Sequence, residues 1–310
     1  MHKKYIRSAL NYTGGKYKLL SQLFPLFPKK VNNFIDIFAG GGVVGINAAR
    51  EYGIFAGEHS SFILNDIEPH VIKFFKFLKG ANHKQFINDV EKTIERYGLS
   101  ETSKYGYEHY GIDSSKGLGS VNKEAFLKLR EAYNNGNIGS NEEQVLFYLL
   151  IVFGFNNQIR FNSAGKYNLP VGKRDFNASM KSKLEEFCEV ISEYNFEFLN
   201  EDFRLVDNIK EGDFVYADPP YRITTATYNE NGGWTREDDL DLFNYLNSVN
   251  AKNAKFALSN VVIHNNRENE ELVKWMGKYN LHILNYNYNN SNYQSKARQS
   301  STVEVLITNY

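Results

Sequence analysis

"NNFIDIFAGGGVVGINAAREYG", residues 32–53, passes from one kind of order to another within a few residues. Its beginning is a short β-prone apolar run bounded by asparagines, which predicts a strand. Its end reads as a helix, and glycines stand between the two. A strand that turns sharply through small residues into a helix is how an α/β sheet with covering helices opens. The next stretch repeats the alternation. "FILND", 62–66, predicts a second strand ending in an acid, and "EPHVIKFFKFLKG" a second helix with Pro69 near its first turn.

Outward from this unit the alternation stops. Upstream, the polar residues 1–16 end in "NYTGGK", and a short helix is expected at Tyr17–Phe24, stopped by Pro25 and Pro28. From about Ala81 to Ser192 the chain predicts mostly helices: "HKQFINDVEKTIERYG", "KEAFLKLREAY", "NEEQVLFYLLIVFG" and "MKSKLEEFCEVISEY". A glycine- and serine-rich loop, "GIDSSKGLGSVN", is expected among them. Strands resume at "FEFLNEDF", "DFVYA", "KFALSN", "HILNYNYN" and "VEVLITNY". The expected fold class is α/β: a Rossmann-like core from residues 1–80 and 193–310, interrupted by a mostly helical insertion over 81–192.

Composition narrows the classes of function. The chain has 310 residues and no net formal charge, so any affinity for a polyanion has to come from local charge. Its 21 Tyr and 23 Phe suit either an aromatic-rich core or surfaces that stack on bases. Cys188 is the one cysteine, which excludes an intrachain disulfide and a cysteine-based zinc cluster; on an apolar helical stretch it is expected to be core filler, and no metal site is expected. No apolar run of about eighteen residues and no charged-then-apolar leader is present, so a soluble cytoplasmic protein without membrane contact is expected.

The pattern Gly40-x-Gly42-x-x-Gly45 lets a backbone approach a ligand closely, but it is a weak signal taken alone. It fits a dinucleotide pyrophosphate at the helix N-terminus, S-adenosylmethionine, or a tight turn without a ligand. Asp66 suits ribose hydroxyls in either ligand reading. Asp36, just before the glycines, favours S-adenosylmethionine: a carboxylate attracts that cofactor's cationic amino-acid end, whereas a pyrophosphate gains nothing from it.

"FVYADPPYRIT", 214–224, is the most specific stretch. An aromatic exocyclic amine is a poor nucleophile because its lone pair is delocalised into the ring. Methylating it requires two acceptors that favour a tetrahedral nitrogen. Asp218 supplies one and the carbonyl of Pro219 the other; Pro219 and Pro220 fix φ and remove two backbone donors. Tyr221 supplies a ring to stack on the base. Positioning and preset polar groups would account for much of the rate. The bland alternative is a Pro-Pro turn capped by an acid.

These motifs together resemble the Dam-type family of site-specific DNA adenine-N6 methyltransferases (D12 class, alpha group). The landmarks are "NYTGGK", "DIFAGGGVVG", "LND" and "ADPPY", in the family's order. "LNEDF", 199–203, resembles the family's segment beside the cofactor adenine, and "RFNSAGKYNLPVGKR", 160–174, its DNA-reading segment. The resemblance implies a fold that binds S-adenosyl-L-methionine and methylation of a flipped adenine in a short double-stranded site. It implies that Tyr12, Lys16, Phe38, Gly40 and Gly42 line the cofactor pocket, with Asp66 on the ribose and Asp202 and Phe203 flanking the adenine. Asp218 would bridge cofactor and target base, and a separate cognate restriction endonuclease is a habit of the family.

Residues 156–183 carry Arg160, Lys166, Lys173, Arg174, Lys181 and Lys183 against one acid, Asp175. With Phe161, Tyr167 and Phe176 interleaved, this predicts a basic, aromatic stripe for DNA. Arg160 suits guanine O6 and N7, and Asn156 or Asn162 an adenine or a phosphate. The resemblance adds a guanine-reading role for Arg160 and a base contact for Pro170. Relatives that modify GATC commonly carry Gly-Leu where this chain has Asn157-Gln158. A second polar segment, "YNYNNSNYQSKARQSS", brings Lys296 and Arg298 before the last strand, as a segment that closes over DNA or a plain loop. Four alternatives stay open: cytosine-N4 methylation, RNA adenine methylation, a nicotinamide-dependent dehydrogenase and a catalytically inactive DNA-binding protein.

Overall fold

The structure, a computed structural model, describes residues 4–53, 60–136, 138–224, 233–285 and 302–310. Among them eight strands form one sheet: β1 (Phe34–Asp36), β2 (Phe62–Asn65), β3 (Phe196–Leu199), β4 (Phe214–Ala217), β5 (Lys255–His264), β6 (Arg267–Glu268), β7 (Asn280–Leu284) and β8 (Thr302–Thr308). The spatial order is β3-β2-β1-β4-β5-β8-β7, with β6 pairing back onto β5. Neighbours from β3 to β5 run parallel; β8 lies antiparallel between β5 and β7. Strand order therefore reverses between β1 and β4. Ligands of open α/β sheets bind in the crevice beyond the carboxyl ends of the strands at such a switch point. Asp36 is the last residue of β1, and Asp218 follows β4 directly.

The helices are α1 (Leu20–Leu26), α2 (Val43–Tyr52), α3 (Pro69–Gly80), α4 (His83–Tyr97), α5 (Thr102–Tyr105), α6 (Gly119–Asn135), α7 (Ser140–Phe153), α8 (Ala178–Glu193), α9 (Arg236–Ala251) and α10 (Glu270–Met276). The chain divides into two compact units. One takes Met1–Gly15, Gly40–Ile46 and Lys73–Tyr194; the other takes Lys16–Ala39, Asn47–Ile72 and Asn195–Tyr310 and contains every strand of the sheet.

In the sheet unit, β1 and β4 are buried at every residue, as interior parallel strands covered on both faces are. Ile35, Val215, Phe256 and Ile307 face a core with Leu242, Phe243 and Leu246 of α9 and Leu272 and Trp275 of α10. On the opposite face Phe27, just after α1, packs its ring on Phe34, Phe214 and Tyr216. In the helical unit, Val145–Phe153 of α7 are all buried, and α4 and α6 pack against this helix. A helix apolar on every side is a core helix.

The expected alternation over 32–80 is present, with shorter strands. Four local expectations are corrected. Residues 16–26 form a 3-10 turn, Lys16–Leu19, and then α1, with Pro25 inside it. The helix carries that proline at the cost of the backbone bond its missing N–H cannot make, and it ends one residue later. The first residues of α6 come from the expected glycine–serine loop. β3 stops at Leu199, since the Asp202 side chain accepts from the Arg204 amide and caps a tight turn over Phe203–Leu205. β5 runs on to His264, because Asn265 and Asn266 take φ of 49° and 63° and turn the chain back as a two-residue hairpin. α9, α10 and β6 were not foreseen. The expected strand 282–289 is described only to Asn285, and residues 286–301, with Lys296 and Arg298, lie outside the described residues.

Candidate active site and nucleic-acid interface

Strand β4 ends as Ala217, and the chain leaves the sheet through Asp218, Pro219, Pro220 and Tyr221. Lys16, at the start of the 3-10 turn, is buried, and its Nζ lies 2.7 Å from Asp218 Oδ2. The Tyr221 hydroxyl stands 2.8 Å from Asp218 Oδ1 and 3.0 Å from Glu304 Oε1. Glu304 Oε1 is also 3.8 Å from Lys16 Nζ, which stands 5.0 Å from the centre of the Tyr221 ring. Lysine, aspartate, tyrosine and glutamate thus close a ring. Each carboxylate oxygen has two lone-pair directions, so an oxygen of Asp218 that accepts one donor has room for another.

Asp36 is buried on the face of the sheet that carries Tyr216. Burial, and next the negative charge of Asp218, hold its carboxyl well above the ordinary carboxylate range. Burial also raises Asp218, and Lys16 pulls it back. A buried, reluctant acid beside a switch point fits a ligand that brings positive charge. Asp66, at the end of β2, is buried and accepts the Glu68 amide at 2.9 Å. Its neighbour Asn65 donates to the carbonyls of Ile37 (3.2 Å) and Glu201 (3.0 Å), tying the segments after β1 and β3 together.

Phe38 and Phe203 lie 5.2 Å apart between ring centres, and Trp234 packs on both at 5.5 and 5.7 Å. Asp202 pairs with Arg204 at 3.0 Å, so its carboxylate serves the local turn. The glycine turn belongs to the helical unit: Gly40 and Gly42 take φ of 49° and 72°, and a Cβ on Gly40 would lie 2.9 Å from Tyr12 Cε1. The Tyr12 ring therefore lies against the glycine backbone, which only a residue without a side chain allows.

Sequence reasoning overlooked Glu304, although an acid inside the apolar run "VEVLIT" is its own signal. It overlooked Asp239, which is wholly buried and accepts from Arg222 Nε (2.8 Å), Trp234 Nε1 (2.8 Å) and Asn269 Nδ2 (3.1 Å). Arg222 follows Tyr221 directly, so this cluster fixes the far end of the proline loop. The signal was Thr235-x-x-Asp238, a reciprocal capping box that starts α9 and sets Asp239 in its first turn.

In the helical unit Asn156, Arg160, Asn162, Lys166, Pro170, Lys173 and Arg174 are all exposed. Antiparallel bridges Gly154–Val171 and Phe161–Tyr167 bring the two arms of this segment together. Arg160 Nε donates to Asn168 Oδ1 at 2.8 Å, which orients the guanidinium. Asn162 Oδ1 is engaged by the amides of Ala164 and Lys166 and shapes the tip. Three members of the expected stripe, two aromatic and one basic, are otherwise employed. Tyr167 is buried with its hydroxyl on the Leu150 carbonyl, and Phe176 is buried against Tyr148; an apolar ring gains more from the core than from water. Lys181 pairs with Glu91 at 2.6 Å. Phe155, not singled out from sequence, is 45% exposed beside Asn156 and Asn157, both at left-handed φ (53° and 54°). Asn157 tolerates that geometry because its amide donates to the carbonyls of Ile151 and Val152.

A family model described as D12 class N6 adenine-specific DNA methyltransferase matches residues 12–290. The chain is 37% identical over 314 residues to the type II methyltransferase M.FokI of Planomicrobium okeanokoites. It is 36% identical over 318 residues to the modification methylase StsI of Streptococcus sanguinis, and 29% over 310 to the modification methylase LlaI of Lactococcus lactis subsp. lactis. These alignments cover 98–99% of this chain but 43% of each relative, so it spans less than half their length. With the motif residues, the switch point and the match over nearly the whole chain, the protein belongs to the D12 class N6 adenine-specific DNA methyltransferase family.

Proposed function

We propose that this chain transfers a methyl group from S-adenosyl-L-methionine to N6 of an adenine in a short double-stranded DNA sequence. The observation that carries it is Asp218 leaving β4 at the switch point, clamped by Lys16 and Tyr221 and followed by two prolines. In the sheet unit the residues present suit the donor: buried Asp36 for a cationic end, Asp66 for ribose hydroxyls and the Phe38–Phe203–Trp234 aromatic group for an adenine. In the helical unit Gly40 and Gly42, both at left-handed φ, allow close backbone approach, with the Tyr12 ring against Gly40. When bound, S-adenosyl-L-methionine supplies an electrophilic methyl. Asp218 and the Pro219 carbonyl accept the two amine hydrogens and turn the nitrogen lone pair outward; Tyr221 holds the base plane; the prolines keep competing donors away.

DNA contact is assigned to Asn156, Arg160, Asn162, Lys166, Pro170, Lys173 and Arg174, with residues 81–192 as target-recognition insertion and residues 1–80 and 193–310 as catalytic core. A cognate restriction endonuclease acting separately is the expected partner. Labelled S-adenosyl-L-methionine on mixed-sequence duplex DNA, followed by sequencing of modified bases, tests the activity and its target together. N6-methyladenine at one short sequence is expected. Label on cytosine, label on RNA only, or none at any ionic strength would overturn it.

A further inference from the structure

We propose that Glu304 is a positioning residue for methyl transfer, anchoring the Tyr221 hydroxyl to the sheet. This rests on the methyl-transfer reading of the Asp218–Tyr221 motif. The two prolines restrict the backbone of that loop, but a tyrosine ring keeps two torsions of its own. Asp218, three residues away on the same loop, cannot fix the ring against the rest of the fold. Glu304 can. It sits on β8, paired to β5 at Val261 and to β7 at Leu284, so its backbone is held from both sides. Its side chain is buried and reaches the hydroxyl at 3.0 Å across 83 positions of sequence.

The hydroxyl carries one hydrogen and meets two carboxylate oxygens, at 2.8 and 3.0 Å. Two acids at one hydroxyl repel each other, and the Lys16 ammonium offsets this from 2.7 Å of Asp218 and 3.8 Å of Glu304. A burial this unfavourable for an isolated acid is retained where geometry matters. Deleting the Glu304 acceptor removes the hydrogen bond that ties the hydroxyl to β8. Binding of cofactor and DNA should survive; alignment of the target base should not.

The test compares Glu304→Ala, Glu304→Met and Glu304→Gln with Tyr221→Phe and the double variants. Met fills the same volume without an acceptor, so it serves if the Ala variant does not fold. Expected are a loss in kcat of roughly ten- to hundredfold for Ala or Met, with KM for both substrates within about threefold, and rescue to within about fivefold by Gln, whose amide oxygen still accepts. In the Tyr221→Phe background the Glu304 substitution should cost less than about threefold, since the hydroxyl is already gone. Equal losses in both backgrounds, or near-normal kcat in Glu304→Met, would overturn the anchor. The same cycle is run on urea unfolding. If the wild-type chain transfers no methyl group, the activity reading fails by itself, and absence of Glu304–Tyr221 coupling in unfolding still decides against the anchor.

Discussion

Asp218 follows the last residue of β4, and Lys16 and Tyr221 hold its two oxygens; the proposed role on an amine rests on that placement. Asp218→Ala is expected to abolish methyl transfer while DNA affinity, measured by titration of a labelled duplex, stays within a few fold. Near-normal turnover would remove that carboxylate from the chemistry. Arg160→Ala should weaken or relax site recognition by roughly 1–3 kcal/mol, as for a lost bidentate guanine contact, read from a panel of single-mismatch sites. Asp36 predicts a pH dependence. Its carboxyl, like that of Asp218, holds a proton to higher pH in the fold than in the unfolded chain. The native state then binds more protons above the ordinary carboxylate value of about 4, so stability falls as pH rises through that window. Asp36→Asn should flatten this fall in urea unfolding series. Affinity for S-adenosyl-L-methionine should rise with pH in the wild type and not in the variant.

At the scale of elements, the loop after β4 is held by α9 rather than by its own sequence. Asp239 gathers Arg222, Trp234 and Asn269 from three segments. Asp239→Ala leaves a half-buried guanidinium without this partner, and a loss of about 3 kcal/mol in unfolding free energy is expected, with a drop in kcat. Thr235→Ala, which removes the cap alone, should cost only about 1 kcal/mol; equal costs would mean that Asp239 acts as a helix residue and nothing more. The early elements β1, α2, β2 and α3 were legible because glycine, proline and alternating apolar runs are local signals. α9 was not: its apolar residues Leu242, Phe243, Leu246 and Val249 lie among acids and asparagines, and only the capping box marked its start.

For the whole molecule, charge is neutral in sum but uneven along the chain. The exposed Arg160, Lys166, Lys173 and Arg174 concentrate on one segment of the helical unit. DNA affinity should therefore fall steeply with salt. Replacing both Lys173 and Arg174 by Gln should lower the slope of log affinity against log salt by roughly 2 and weaken binding alike on all sequences. An unchanged slope would take these side chains off the phosphate track.

By itself the sequence determined the family and pointed to the proposed chemistry. Asp-Pro-Pro-Tyr after an apolar run, the glycine turn with Asp36 before it, and the basic segment each carry their meaning in residue types a few positions apart. The tertiary structure alone decided which partners those residues meet. Glu304 reaches Tyr221, Lys16 reaches Asp218, and Asp239 reaches Arg222 because the fold sets an antiparallel strand, a 3-10 turn and a helix, each far away in sequence, beside the segment that follows β4. It also decided which aromatic rings of the basic segment are withdrawn, since the core gains more from burying Tyr167 and Phe176 than a DNA surface gains from showing them.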